Sequence, residues 1–152
     1  MTLDETDLAL LRAVQRDGQA TAQELGAELN LSASQAGRRR QRLEEAGLIL
    51  GYSARLDPSA LGLKVQAFIQ VQLARHGADE GRAFARLLRT RPEVTSAWTM
   101  TGEADYLLRV YCADLPELNL LIHEVLLAHP TVARVQSQIV MDQTKPDAPY
   151  PL

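Results

Sequence analysis

Apolar residues recur at helical spacing through positions 1–50, in three separate runs. The first run includes Leu8 and Val14, follows Asp4 and ends at Asp17-Gly18, where a glycine readily leaves a helix. Each of the other two begins with a capping box, in which a hydroxyl side chain and a Glu or Gln three residues later satisfy free amides of the first turn. The boxes are Thr21 with Glu24 and Ser32 with Gln35. The pattern predicts three helices, the third reaching Ala46-Gly47 and following the second after a turn of about three residues.

A short helix, a tight turn and a longer helix have the spacing of a helix-turn-helix, whose second helix enters the major groove of DNA. The predicted third helix is arginine-rich and has no acidic residue between positions 34 and 43. On a helical wheel, Ala36, Leu43 and Ala46 share an inward stripe with Arg40 between them. The polar and cationic side chains that project elsewhere are Ser34, Gln35, Arg38, Arg39 and Arg42.

This basic face has two interpretations. On charge alone it is an ordinary solvated helix surface. Guanidinium groups also bond guanine in a bidentate manner or bond phosphate oxygens, and glutamine pairs with adenine. Because the two capping boxes and the short turn accompany the charge, we favour DNA contact by Ser34, Gln35, Arg38, Arg39 and Arg42.

Beyond Gly47 the pattern becomes extended, and later strands alternate with helices. Residues 48–56 indicate a linker strand, which Asp57-Pro58 ends. Apolar alternation and helical spacing then predict strands over 65–73, 94–101, 106–112 and 132–141, with helices after the first and third strands. Pro92 and Pro130, like Val94 and Val132, are 38 residues apart. Two such halves predict a ferredoxin-like βαββαβ domain with an antiparallel four-stranded sheet and both helices on one face.

The other face of this sheet is left open, with Phe68 and Trp98 expected on it. A sheet face of this size marks a partner surface, so we expect a dimer joined sheet to sheet. The chain is therefore an α+β protein in four parts. These are a helix-turn-helix domain over 1–50, a linker strand and hinge over 51–63, the ferredoxin-like domain over 64–142, and a proline-rich tail over 143–152, expected to be extended or disordered.

Composition narrows the possible functions. The 152 residues include 16 Lys and Arg and 19 Asp and Glu, a formal net charge of -3, which excludes nucleic-acid binding through overall charge. The sequence has no membrane-length apolar run, no signal-peptide pattern and a single cysteine, Cys112, which we expect to be a packing residue. We expect a cytoplasmic protein with no membrane partner.

The sequence does not favour an enzyme. It has no Ser-His-Asp arrangement, no His-Glu-x-x-His motif and no glycine-rich phosphate loop. An enzyme built on the ferredoxin-like sheet is the competing class, because that fold hosts several chemistries. We expect no catalytic residue, no metal ligand and no other cofactor.

Several motifs occur in a fixed order along nearly the entire chain. They are Leu3-Asp4 with Asp7, Leu31-Ser32 before the arginine-rich helix, Arg39 and Leu43-Glu44, Gly47-Leu48-Ile49, and Gly102-Glu103-Ala104-Asp105-Tyr106-Leu107-Leu108. This combination closely resembles the Lrp/AsnC (feast/famine) transcriptional regulators. The resemblance implies a sequence-specific regulator of double-stranded DNA, dimers that associate into octamers, and a small effector, usually an amino acid. The alternative within the family is a DNA-wrapping architectural protein without an effector.

The resemblance also implies an effector crevice between dimers, in the ferredoxin-like domain. Motif matching places Trp98, Thr101, Gly102, Asp105, Tyr106 and Gln138 near it. There Asp105 would accept from an ammonium group, and amides at Gly102 would donate to a carboxylate. The alternative is a plain hairpin turn in which Asp105 caps its own backbone and Tyr106 is core. The chain departs from the family at Arg40, where an aliphatic residue is usual; its head is expected to reach out over the second helix.

Overall fold

The computed structural model describes residues 2–74 and 77–152, and its contacts divide the chain into two compact units. One unit contains residues 2–55 together with 144–152, and the other contains residues 56–143. Each unit has its own cluster of buried apolar side chains. Among the described residues, no helix is both long and apolar enough to cross a membrane.

Three helices form the first unit, as the sequence predicts. They are α1 (Glu5–Arg16), α2 (Ala22–Leu29) and α3 (Ala33–Glu45). The predicted capping boxes of α2 and α3 are both present. In the first of them, the Glu24 amide donates to Thr21 Oγ1 over 3.2 Å, and the Thr21 amide donates to Glu24 Oε2 over 2.7 Å. A third box, formed by Asp4 and Asp7, begins α1.

The turn between α2 and α3 is tight because two residues permit it. Asn30 ends α2 in the left-handed conformation, with a φ of 56°. Gly26 lies under the turn, where an added Cβ would be 2.8 Å from the carbonyl oxygen of Leu31. A side chain at position 26 would therefore force the backbone of the turn outward, and the turn orients α3 against α2.

The core of the first unit lies between the three helices. Leu10, Leu25, Ala36 and Leu43 are almost completely buried there. The predicted inward position of Ala46 is wrong, because α3 ends at Glu45 and Ala46 is an exposed capping residue. The inward stripe of α3 therefore consists of Ala36 and Leu43.

No β-strand forms over residues 48–56, where a linker strand is expected, or in the rest of the linker to residue 63. A strand needs a hydrogen-bonded neighbour. No other strand of the described chain pairs with this segment, and residues 58–62 form a turn. The expectation of a linker strand is therefore not met within a single chain.

The second unit has the predicted ferredoxin-like topology. Its elements are β1 (Val65–Leu73), α4 (Ala78–Arg89), β2 (Val94–Thr99), β3 (Tyr106–Cys112), α5 (Leu115–Leu120), which continues as a π-helical segment (Leu121–Leu126), and β4 (Val132–Ile139). The strands form one antiparallel sheet in the order β2-β3-β1-β4. The sequence pattern predicts this second helical run over residues 115–128, and in the structure it ends two residues earlier, at Leu126.

The two faces of this sheet have different chemistry. Alternate residues of β1 and β3, including Ile69 and Leu108, are buried with Phe84 of α4 and Leu126 in the core. Cys112 belongs to this core, and burial raises the pKa of its thiol to about 11, helped by the nearby acids Glu117, Glu93 and Asp114. Such a thiol is protonated at neutral pH, which agrees with a packing residue.

The opposite face of the sheet carries glutamines and a few large apolar or aromatic side chains. Phe68 is paired with Arg109, and Trp98 is paired with Leu107, two residues away on the same strand. Phe68 and Trp98 therefore share this face, as predicted. Trp98 is 45% exposed.

Candidate nucleic-acid interface

The first turns of α3 carry the exposed polar side chains of the basic face. Ser34, Gln35 and Arg38 are all exposed. The side-chain oxygen of Gln35 accepts from the Ser32 amide over 2.9 Å, so the capping box fixes this side chain at the start of the helix. Arg38 Nε approaches the Ser34 carbonyl at 3.4 Å, and its guanidinium has no carboxylate partner among the described residues.

Arg39 and Arg42, also predicted to contact DNA, bond to acids of α1. Asp7, whose side chain is 1% exposed, accepts from Arg39 Nη1 over 2.7 Å. Arg42 Nη2 bonds both oxygens of the same carboxylate, over 2.6 and 2.7 Å. Arg39 Nη1 also bonds Asp4 over 2.7 Å. The two arginines nevertheless remain partly solvent-accessible, with side-chain exposures of 29% and 50%.

These contacts keep the charges of the cluster fixed. The hydrogen bond from Arg39 holds the pKa of Asp4 below its ordinary value, assisted by the bond from the Asp7 amide. The bonds to Asp4 and Asp7 raise the pKa of Arg39 in turn. The face of α3 therefore stays cationic across the physiological pH range.

The basic side chains surround a shallow pocket of about 300 Å³ on the exposed side of α3. It is lined by Leu31, Gln35, Arg38, Arg39 and Arg42. Four of these five were predicted as DNA contacts, and Ser34 is the predicted residue that does not line the pocket. Guanidinium donors around a concave, cationic surface suit a phosphate oxygen or the acceptor edge of a guanine.

Arg40 has a different environment from its three arginine neighbours. Its guanidinium donates to the carbonyl oxygens of Ala20, over 2.8 Å, and Gly18, over 3.4 Å. Its centre lies 4.5 Å from the ring centroid of Tyr52, and its Nε bonds the hydroxyl of that residue over 2.9 Å. The head therefore turns toward the α1–α2 connection, instead of over α2 as expected. Arg40 joins three segments of the unit and is not part of the basic pocket.

Sequence reasoning missed the role of Asp7, although a signal was present. Asp4 and Asp7 are acids in the first turn of one helix, and Arg39 and Arg42 are three residues apart on another. Both pairs therefore have the spacing of a single helix face. That the two faces meet depends on how α1 packs on α3, which local sequence does not specify.

The six residues expected near an effector fall into separate places in one chain. Thr101 and Gly102 are exposed in the β2–β3 turn, where Gly102 has a φ of 113° that favours glycine. Thr101 lines a small pocket of about 170 Å³ with five other residues. Those residues are Gln70, Met100, Glu103, Ala104 and Leu107, none of which was expected there.

The side chains of Asp105 and Tyr106 contact other residues of the second unit. One oxygen of Asp105 accepts from the Leu73 amide over 2.7 Å. The ring of Tyr106 packs edge-on against Phe84 with centroids 5.0 Å apart, and its hydroxyl donates to the Gly81 carbonyl over 3.3 Å. The packing of Tyr106 agrees with the plain hairpin interpretation, whereas this Asp105 bond reaches an amide of β1, outside the hairpin.

Trp98 and Gln138 lie on the open face but on opposite edge strands, β2 and β4. Three strand spacings separate those edges, roughly 14 Å. Gln138 is instead adjacent to Phe68. One chain by itself therefore does not bring Trp98 and Gln138 to a common small-molecule site.

Comparison with known proteins accounts for both units. Residues 3–44 match the AsnC-type helix-turn-helix domain, and residues 66–150 match the Lrp/AsnC ligand binding domain. The DNA-binding transcriptional activator DecR of Escherichia coli (strain K12) is 32% identical over 150 residues, covering 99% of each chain. The leucine-responsive regulatory protein of Rhizobium meliloti is 37% identical over 143 residues, covering 94% of this chain and 92% of that one.

A solved structure gives the same result at the level of the fold. The crystal structure of a transcriptional regulator from Neisseria meningitidis in complex with L-Met has a TM-score of 0.94 and 37% sequence identity, covering 99% of this chain and 97% of that chain. These relatives are regulators and not enzymes. Since the family domains match most of the chain, and full-length relatives exceed 30% identity, this chain belongs to the Lrp/AsnC family of DNA-binding transcriptional regulators.

Proposed function

We propose that this protein is a sequence-specific transcription regulator whose DNA binding responds to a small effector, an amino acid. The observation that carries the DNA part is the exposed basic face of α3 behind a tight helix-turn-helix turn, in a chain with a net charge of -3. Ser34, Gln35, Arg38, Arg39 and Arg42 would contact base edges and phosphates in the major groove.

The proposed division of labour follows the four parts of the chain. Residues 1–50 bind DNA, 51–63 form the linker and hinge, 64–142 bind the effector and assemble the oligomer, and 143–152 form the tail. The open sheet face that includes Phe68 and Trp98 supports pairing with a second copy, since Trp98 is 45% exposed there and the helices of this unit pack on the other face. The proposed assembly is a homodimer that associates further, up to an octamer.

The effector would bind near Trp98, Thr101, Gly102, Asp105, Tyr106 and Gln138. The L-Met bound to the Neisseria regulator and the match to a ligand binding domain support an amino acid. Because Trp98 and Gln138 lie on opposite edge strands within one chain, the proposed site is lined by residues from more than one copy. The effector then acts by binding unequally to different assemblies, which changes the spacing of the α3 helices along DNA.

Capture of genomic fragments by the purified protein, sequenced with and without pooled amino acids, tests this proposal. We expect a few fragments to be enriched, and we expect at least one added amino acid to change that enrichment. Near-equal capture of all fragments would favour the DNA-wrapping alternative, because that class lacks a large specificity ratio.

A single substitution tests the role of α3. Arg38→Ala should weaken binding to the best captured fragment about fivefold to 150-fold, because a good base contact contributes roughly 1 to 3 kcal/mol. Gel shifts at moderate salt measure the change. Arg89→Ala, which removes an exposed arginine from α4 in the other unit, is the matched control and should change affinity less than twofold. Equal effects of the two substitutions would refute a specific contact by α3.

A further inference from the structure

Asp7 is an acidic side chain that lies against the basic face of α3, although it belongs to α1. Its carboxylate is 1% exposed and accepts from Arg39 and from Arg42. It is also the third residue of α1, so the positive end of that helix favours its charge. A buried carboxylate of this kind depends on its guanidinium partners, because an unpaired desolvated charge is strongly destabilising.

The arrangement leaves most donors of both arginines available. Arg39 bonds the acids through Nη1 alone, and Arg42 bonds them through Nη2 alone. Within residues 2–74 and 77–152, no hydrogen bond engages the other terminal nitrogen or the Nε of either side chain. Both arginines line the same pocket as Gln35 and Arg38. Each guanidinium is thus held at one nitrogen and open at the others, in a rigid planar fork.

We propose that Asp7 is a specificity-determining positioning residue of the DNA interface. By holding one nitrogen of Arg39 and one of Arg42, it fixes the directions in which their remaining N–H groups meet DNA. The inference rests on the proposed function, since it requires that α3 contacts a duplex.

Two physical effects follow from this arrangement. A free arginine on a flexible stem follows phosphates on any duplex, whereas a fixed fork bonds an acceptor in one place only. The carboxylate also offsets part of the positive charge, which reduces the sequence-independent attraction to phosphates. Asp7 therefore favours the correct DNA sequence over the bulk of competing DNA.

The test is Asp7→Asn in the full chain, with thermal unfolding used to verify the fold. Affinity is measured for the best captured fragment and for a random-sequence duplex of equal length, over a series of salt concentrations. The variant should bind the random duplex more tightly and lower the ratio of specific to random affinity about tenfold. The slope of log affinity against log salt on the random duplex should steepen by about one to two, since up to two freed arginines gain phosphate contacts.

Glu28→Gln is the matched control. It removes the same charge from an exposed ion pair with Arg16 in the same unit, and among the described residues neither member of that pair bonds Arg39 or Arg42. Its specificity ratio should stay within twofold of the parent, and its salt slope should change by less than one half. A folded Asp7→Asn variant that behaves like Glu28→Gln would overturn the proposal.

A second variant covers the case in which Asp7→Asn does not fold. Arg42 is half exposed, and Arg42→Lys keeps its charge while removing the planar fork. It should lower the specificity ratio at least threefold with no change of salt slope, and an unchanged ratio would contradict the inference.

Failure of the proposed function is distinguishable from failure of this inference. A parent protein that binds all duplexes equally would refute sequence-specific regulation. Even in that case, Asp7→Asn should steepen the salt slope on random DNA more than Glu28→Gln does. Equal salt slopes for the two variants would by themselves refute the role of Asp7.

Discussion

Arg40 lies in the middle of the arginine-rich segment, yet its guanidinium faces the protein. It bonds the carbonyls of Gly18 and Ala20 and covers the ring of Tyr52, whose hydroxyl donates to Glu44 over 2.7 Å. Burial, and then the bond to Glu44, raises the pKa of Tyr52, so its hydroxyl stays protonated and keeps donating at neutral pH. An aliphatic side chain would pack at this position but would leave both carbonyls without this donor.

Arg40→Leu is therefore expected to destabilise the first unit by about 1.5 to 3 kcal/mol, the range for hydrogen bonds made by charged groups. Hydrogen exchange of the α1 and α3 amides measures the loss locally. Trp98 is the single tryptophan and lies in the other unit, so its fluorescence should show no change in that unit. Arg38→Leu makes the same substitution at an exposed position of α3 and should leave hydrogen exchange nearly unchanged. Similar losses in both variants would indicate a general effect of the lost charge.

Local signals at the residue scale are predictable from sequence, and long-range contacts are not. The capping boxes at Thr21 and Ser32 were found by spacing alone, because both partners lie within one helical turn. The ion pairs of Asp7 span 32 and 35 residues and depend on the packing of two helices. Charge and spacing therefore predict the basic side chains of the candidate site. They do not predict that Asp7 bonds two of them, Arg39 and Arg42.

At the scale of elements, two β-bulges explain which side chains reach each sheet face. The pairing of β2 with β3 shifts register between Val94 and Ser96. The pairing of β1 with β4 shifts register between Gln72 and Leu73, which pair with Arg134 and Val132. The two shifts lie at residues 94–96 of β2 and 132–134 of β4, which are 38 residues apart in sequence, the spacing of the predicted repeat. Simple alternation from Val94, which is partly buried against the core, would turn Trp98 inward. The extra residue turns it onto the open face.

The α2–α3 turn and the middle of α3 respond oppositely to the same substitution. Gly26→Ala should destabilise the first unit by about 1 to 3 kcal/mol, because the new Cβ would be 2.8 Å from the Leu31 carbonyl oxygen. Gly37→Ala should stabilise the unit by about 1 kcal/mol, because its Cβ would meet only Ala22 Cβ at 3.6 Å and alanine favours the helix. Hydrogen exchange of α2 and α3 measures both. Effects of the same sign would show that the turn does not require glycine at position 26.

At the scale of the whole molecule, periodicity predicted the α+β class and the antiparallel sheet, because amphipathic repeats report burial directly. The effector region was less accessible to sequence reasoning. Tyr106 was grouped with Thr101 by motif, yet alternation along β3 turns its ring toward Phe84. Residues of one motif thus lie partly in the exposed turn and partly against the buried side of the sheet, and motif order does not reveal this.

The proline-rich tail has no helix or strand, as its composition predicts, but its end contacts the first unit. Arg12 Nε donates to the Leu152 carbonyl over 2.7 Å, and the Tyr150 amide donates to Gln15 Oε1 over 2.6 Å. Tyr150 and Leu152 also line an apolar cavity of about 410 Å³ beside α1. Composition predicts the missing secondary structure because proline removes amide donors, whereas these contacts depend on the outer surface of α1.

Deletion of residues 148–152 is therefore expected to lower the stability of α1 by about 1 kcal/mol, because modest apolar burial and a few exposed hydrogen bonds are lost. Hydrogen exchange should show faster opening of the α1 amides, with no change in the β1 and β3 amides of the other unit. Gln15→Ala removes the side-chain partner of Tyr150 and should give a smaller change in the same direction. Lys145→Ala, an exposed change in the same tail, serves as the control and should leave α1 unaffected. If the shortened chain exchanges like the parent, the tail does not stabilise the helix-turn-helix unit in solution.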